Sequence, residues 1–304
     1  MYSMRNTYLI LAISICFFSC ISAIHAQTDS SKASYFKASA SYLSNSVYNG
    51  RKDSLITPYL TPSISYYNKN GFYVTGSLSY LPSATESRID LFMLDLGYDF
   101  DLTENLSGSV YANKSAYNEN STAIKSDIKG SIGTSLSYDF GLVQLNMSSE
   151  VLFAQKADIA LNVGLAHAFY AGEEGNKYSF TPTIAASMST LHFYEGYTNR
   201  KVGKNAKKTI PNLLSTSSTT TVNNSKFTLL DYELSIPITY DAKKLGLFFT
   251  PTFAIPKNPI YTTTTTLYKL RNGTSYSQSL NSTPQTEINI ENTFYAELGI
   301  YFKF

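Results

Sequence analysis

What this chain has little of narrows its nature first. Only 15% of its 304 residues are charged, against about a quarter in an average globular domain. The formal net charge of +2 provides no basic excess for a nucleic-acid partner. Disorder needs low hydrophobicity and high net charge, and 43% hydrophobic residues with near-neutral charge do not fit it. The only two cysteines, Cys16 and Cys20, lie near the start, so the rest of the chain carries no disulfide framework and no thiol chemistry. Three histidines give no paired metal-ligand spacing, and there is no Gly-rich phosphate loop and no nucleophile elbow. Metal, nucleotide and α/β-hydrolase chemistry are therefore without support, and no cofactor is expected. Tryptophan is absent altogether, while 25 Tyr and 18 Phe are present.

The first 26 residues form a unit of their own. Arg5 is followed by an almost unbroken apolar stretch from Tyr8 to Phe18, then by Ser22-Ala23-Ile24-His25-Ala26. A charged start, a short apolar centre and a small-residue site read as a cleaved secretory signal over residues 1–26. Phe18-Ser19-Cys20 also resembles a lipobox, which would instead leave a lipidated Cys20.

After residue 27 no segment is long and apolar enough for a transmembrane helix. Stretches of roughly ten residues with period-two alternation recur instead, as membrane β-strands require. In 88–100, Phe92, Leu94, Leu96, Tyr98 and Phe100 share one face, and Asp95, Gly97 and Asp99 the other. The same test predicts twelve strands, at 34–44, 55–67, 71–81, 88–100, 105–113, 125–140, 142–155, 158–170, 177–191, 226–240, 245–256 and 288–304. Short connections alternate with long ones, the longest being 192–225 and 257–287. The expected fold is all-β, a single transmembrane antiparallel barrel over 27–304 with short periplasmic turns, long extracellular loops and both termini periplasmic. A soluble β-sandwich is the alternative. Long strands, aromatics near strand ends and an uncharged second face count against it. Pro58, Pro62, Pro182, Pro237 and Pro251 fall within these strands, where only a bulge or a strand end would accommodate them.

The chain closes with Tyr301-Phe302-Lys303-Phe304, where Phe302 and Phe304 end the last alternating run. This resembles the C-terminal signal read by the β-barrel assembly machinery of Gram-negative bacteria. Together with the signal segment and the alternation, residues 27–304 resemble an outer-membrane β-barrel protein. The Tyr/Ser/Asn-rich style of Ser41 to Tyr48 is similar to Bacteroidetes barrels of uncharacterised function, and Asp53-Ser54-Leu55 matches the short O-glycosylation pattern of that phylum. The resemblance implies outer-membrane lipid, lipopolysaccharide and the assembly machinery as partners.

Alternation aims Asp95, Glu150, Asp231, Glu233 and Glu297 into the lumen, with Lys37, Lys129 and Lys303 on the same side. Charge facing lipid costs about 2–4 kcal/mol near mid-bilayer, which explains inward placement by itself. These groups could form a selectivity ring for a narrow passive channel carrying small polar solutes, or pair with one another and fill the interior. Tyr59, Tyr73, Tyr111, Tyr295 and Tyr301 face the same way, as stacking platforms or as filler. Arg200, Lys201, Lys204, Lys207 and Lys208 crowd the longest loop, where a solvated loop competes with a grip on lipopolysaccharide phosphates. A non-conducting barrel whose loops bind such a partner is thus the rival function. Asn272-Gly273 predicts a hairpin over 260–282 extending strands 11 and 12. Outer-membrane phospholipase sets a Ser and a His on its lipid-facing surface. Here alternation leaves only Thr190 beside His192, and it puts His167 at the opposite end, so no enzyme is expected.

Overall fold

The alternating stretches form strands, and each strand pairs with the next in sequence until the last meets the first. The computed structural model describes residues 33–52, 56–83, 86–173, 176–223, 226–281 and 291–304. The expected signal segment, both cysteines and the 53–55 glycosylation pattern lie outside the described residues. The barrel strands are β1 (Tyr35–Leu43), β2 (Tyr59–Tyr67), β3 (Phe72–Leu81), β4 (Arg88–Thr103), β5 (Leu106–Tyr117), β6 (Gly130–Asp139) and β7 (Gln144–Phe153). They continue with β8 (Ala157–Ala166 and Phe169–Glu173), β9 (Asn176–Phe180 and Thr183–Ser189), β10 (Thr228–Ser235 and Ile238–Ala242), β11 (Leu245–Pro256) and β12 (Thr293–Lys303). All pairings are antiparallel, and β12 pairs with β1 from Lys37↔Lys303 to Leu43↔Glu297. This is a closed barrel of twelve strands.

Closure leaves two faces. Outward go large apolar side chains such as Ile64, Phe92, Ile132, Leu165, Ile184, Phe249 and Leu298, all exposed on the barrel wall. Inward go Ser, Thr, Asn and Tyr, bonded across strands: Ser39 with Ser63 at 2.6 Å, Ser109 with Ser135 at 2.8 Å, Asn162 with Ser187 at 3.0 Å. The interior aromatics lie across glycines on neighbouring strands. Tyr73 sits opposite Gly97, Tyr111 opposite Gly133, Tyr301 opposite Gly246 and Phe248 opposite Gly299. A Cβ on Gly246 would overlap the Tyr301 ring. Glycine there lets a large ring lie flat on the wall instead of crossing the lumen.

The prolines have a simpler explanation than bulges. Pro182 and Pro237 fall in the gaps that divide β9 and β10, next to the 167–168 gap in β8. Each proline carbonyl still accepts a bond, from His167 N to Pro182 O (3.2 Å), Thr181 N to Pro237 O (2.9 Å) and Ile236 N to Pro251 O (3.1 Å). The register passes through without a slip, from Ala166↔Thr183 to Phe169↔Phe180 and from Ser235↔Thr252 to Ile238↔Phe249. The missing donors therefore line up across adjacent strands, confining the loss to one line where the ladder opens. Pro62 lies inside β2, opposite Ala40, and Pro58 just before it. A true bulge sits elsewhere. Ser187 pairs with Asp231 and Met188 with Leu229, leaving Leu230 as the extra residue.

Short turns at 68–71, 104–105, 140–143 and 243–244 share one end with the two described chain ends. The other end is built over. Residues 193–209, expected as loop, form helix α1 (Phe193–Thr209), with Glu195 in its first turn and Lys207 and Lys208 in its last, as the helix dipole favours. Pro211 stops it. The predicted hairpin forms between Thr262–Leu270 and Ser275–Asn281, turning at Gly273 with φ +85°. It does not extend strands 11 and 12 as expected; it joins Leu213–Val222 in a separate three-stranded sheet. The Pro256-Lys257-Asn258-Pro259 run, with Asn258 at φ 51°, turns the chain away from β11 and explains that departure.

Replacing Gly246 by Val should destabilise the barrel by about 1–3 kcal/mol through forced displacement of Tyr301. Gly76→Ala, where a Cβ meets nothing within 4 Å, should be near neutral. Urea titration read by gel mobility of folded and unfolded forms compares the two.

Candidate functional site: the capped mouth and the interior beneath it

Three segments fold inward at the built-over end, and each is held by one buried charged residue. The first runs from Ser44 to Lys52. Arg51 is 2% exposed, and its guanidinium donates to the carbonyls of Asn49 (2.7 Å), Leu230 (3.2 Å), Lys257 (2.8 Å) and Asn258 (2.8 Å). The Leu230 bulge presents one of those carbonyls and turns the Leu230 side chain into a buried cluster. Asn45 accepts from the backbone N–H of Thr57 at 2.9 Å, closing the base of this segment.

The second segment follows β5. Asp90 is fully buried; it accepts from Ser121 (2.7 Å) and Arg88 (2.7 Å), and from the Tyr59 hydroxyl. This fixes the turn that leads into a short 3-10 helix, Ile124–Asp127. Gly196 in α1 allows that helix to approach, since any Cβ there would overlap the Asp127 carboxylate. Lys125 faces Glu150 and Asp95 from this segment. Burial pulls its ammonium below the usual lysine range, and the two carboxylates oppose that shift.

The third segment is α1. Asp158, buried in β8, accepts from the backbone N–H groups of His192 (2.8 Å) and Phe193 (2.7 Å), from Thr190 Oγ1 (2.6 Å) and from His192 Nδ1 (2.9 Å). It caps the helix from another strand, satisfying donors that α1 leaves unpaired. His192 is thus oriented by a carboxylate, while the Thr190 hydroxyl is spent on that same carboxylate. Among the described residues no serine or threonine hydroxyl bonds to His192. His167 stacks edge-on against Phe169 at 4.4 Å. Ile124, Ile128, Leu191, Phe193, Tyr194, Tyr197, Val222, Leu230 and Ile260 form one apolar core, and Tyr48 of the first segment packs against it through Phe193 at 5.4 Å.

Below this cap lies a cavity of about 320 Å³. Val47 to Asn49 line it together with Ser148, Glu150, Asn162, Ser187, Glu233 and Tyr295. Tyr295 donates to Glu233 at 2.9 Å, and Ser131 to Glu150 at 2.9 Å. Asp231 is fully buried, and neither of its oxygens has a hydrogen-bond partner.

The residues singled out from the sequence divide into groups. Glu150, Glu233 and Tyr295 meet at the cavity, with Asp231 beside them. Asp95 stands opposite Thr75 and Asn113. Glu297 stands opposite Leu43 and Thr250, away from the cavity lining. Tyr59 serves Asp90, and Tyr73 and Tyr111 cover glycines. Lys37 lies at the short-turn end, donating to Tyr67 at 3.2 Å, near Tyr301, which bonds to Asp241. Lys303 lies 3.7 Å from Asp241. Lys129 is exposed just before β6 and joins none of these groups. In α1, Lys201 reaches Tyr197 and Lys208 lies 3.9 Å from Glu86. Lys207 shares a separate cleft of about 350 Å³ with Arg271 and Asn212. The side chains of Arg200 and Lys204 lie outside the described residues. Phe302 and Phe304 are exposed, with Phe304 N bonded to Phe36 O at 2.9 Å. Arg51, Asp90 and Asp158 were not singled out from the sequence, because the groups they hold lie elsewhere in the chain.

An antiparallel sheet closed on itself, apolar outside and polar within, defines an outer-membrane β-barrel. No protein-family model matches the chain, and no curated protein sequence does. Among solved structures it is similar to the NanC porin, at 9% identity and a TM-score of 0.43 over 88% of this chain and 100% of that one. It is also similar to LpxR from Salmonella typhimurium, at 9% and 0.45 over 88% and 100%. A third is the COG4313 outer membrane channel from Pseudomonas putida F1, at 8% and 0.29 over 93% and 100%.

Asp158→Ala should release α1 without opening the barrel, at a local cost of about 1–3 kcal/mol. Amide exchange across 192–198 should then rise about ten- to a hundredfold, while β3 to β6 exchange as before.

Proposed function

We propose that this barrel is a narrow passive passage for small polar solutes in the outer membrane, with both termini periplasmic and the capped mouth outside. The observation that carries this reading is the 320 Å³ cavity inside the barrel, walled by Ser148, Glu150, Asn162, Ser187, Glu233 and Tyr295. A barrel whose interior served only as packing would have little use for a polar hollow beneath its cap. The cap makes the passage narrow, since the Arg51-clasped segment lies directly over that hollow. Phe302 and Phe304 serve the assembly machinery in this account, and no catalytic step is assigned.

A second reading has an observation of its own. The cap has an apolar core and carries a cleft containing Lys207 and Arg271, which suits phosphate groups of lipopolysaccharide. Here the loops would bind a surface partner and the barrel would conduct nothing.

Planar-bilayer recording separates the two. The passage predicts small single-channel steps that grow severalfold in Arg51→Ala, because the clasp over the lumen is lost. Silence from both proteins would refute it. Lipopolysaccharide binding that weakens in Lys207→Ala and Arg271→Ala would then favour the second reading.

A further inference from the structure

One row of the inner wall runs from the short-turn end to the cavity. Barrel strands are tilted, so a line of residues paired across neighbouring strands climbs along the axis. The pairing Tyr35↔Tyr67↔Tyr73↔Gly97↔Tyr111↔Gly133↔Glu150 is such a line, carried by successive strands from β1 to β7. It begins at the first residue of β1 and ends at Glu150, which lines the cavity beneath the cap. At its start Tyr35 stacks on Tyr67 at 5.0 Å, and Lys37 sits over the Tyr67 ring at 5.0 Å. Beyond that covered start come two half-buried rings, Tyr73 and Tyr111. A Cβ on Gly97 would overlap the Tyr73 ring, and one on Gly133 would meet the Tyr111 ring at 2.6 Å and the Glu150 side chain at 2.9 Å. Each ring therefore lies along the row, one face on the wall and the other toward the lumen. Polar side chains flank the pair, Asp95 and Asn113 on the capped side, Asp99 and Ser109 on the short-turn side.

We propose that Tyr73 and Tyr111 form a binding track for a neutral pyranose disaccharide moving between the short-turn end and the cavity. Three observations select that class. A pyranose offers a flat apolar C–H face edged by hydroxyls, which matches aromatic rings flanked by carboxylate, amide and hydroxyl groups. The two rings stand on strands two spacings apart, roughly 10 Å, the reach of two linked sugar rings. Lys125 faces both Asp95 and Glu150, so the capped flank holds both signs and gives a charged solute no advantage. Glycine at 97 and 133 keeps the two rings down on the wall, which leaves the space above them to the solute. The proposal deepens the passage reading by naming its solute class, and it rests on that reading for how the sugar arrives.

Maltose and sorbitol are suitable probes, since both are neutral and rich in hydroxyls but sorbitol has no ring. Titration calorimetry on the folded barrel in detergent should show maltose binding about tenfold tighter than sorbitol, the worth of two stacked rings. Tyr73→Ser and Tyr111→Ser should each weaken maltose binding about three- to tenfold. Tyr73→Phe and Tyr111→Phe keep the rings and should stay within about twofold of the parent. Gel mobility reports folding, and Tyr73→Leu replaces a serine variant that fails to fold. Equal affinity for the two probes, no detectable maltose binding, tighter binding of choline, or an equal loss in the Phe and Ser variants would each overturn the proposal. Liposome swelling keeps the two readings apart. Entry of maltose at one rate in all variants, without binding, leaves the passage and removes the track. Ring-dependent binding without entry leaves the track and removes the passage.

Discussion

Closure of the sheet is the constraint on which everything else depends. A strand in lipid must have its backbone donors and acceptors satisfied by other strands, because no water is present to do so. The β1–β12 pairing from Lys37↔Lys303 to Leu43↔Glu297 removes the last free edge. Once the sheet is closed, side-chain placement has only two options, lipid or lumen. The composition follows from this. Apolar residues of modest number cover the outside, Ser, Thr and small residues line the inside, and charge is kept off the lipid-facing wall.

The same constraint explains the prolines and the glycines. A closed barrel cannot hide a missing donor at an edge, so Pro182, Pro237 and Pro251 are set on adjacent strands with their carbonyls still paired. The interior has to accommodate large rings without filling itself. Glycines opposite Tyr73, Tyr111, Tyr301 and Phe248 let those rings lie along the wall. Tyrosine therefore acts as lining here, which accounts for part of its abundance in a chain that has no tryptophan.

The barrel wall was legible in the sequence because period-two alternation is a local property. The segments around Phe92 to Phe100 and Phe294 to Phe304 show their two faces without reference to the rest of the chain. The cap was not legible in the same way. Arg51, Asp90 and Asp158 acquire their roles chiefly from groups 31 to 207 residues distant in sequence, and nothing local marks them. Helix α1 was read past because its basic residues suggested a solvated loop, although Phe193, Tyr194 and Tyr197 already had helical spacing and Pro211 marked its end. Asp231 and Glu233 were placed on the inner face correctly by alternation. That Asp231 would be left without a donor depended on the Leu230 bulge and on the chain folding over it, neither of which is written locally.

The proposed passage requires that the Arg51-clasped segment closes the mouth over a polar lumen that is reached from the other side. The chain after residue 26 contains no cysteine, so a single Ser187→Cys substitution reports access to that lumen. In oriented proteoliposomes, a small charged thiol reagent should label it readily from the side of the short turns and much more slowly from the capped side. Adding Arg51→Ala should bring the two rates together. Equal rates from both sides with Arg51 intact would contradict the account.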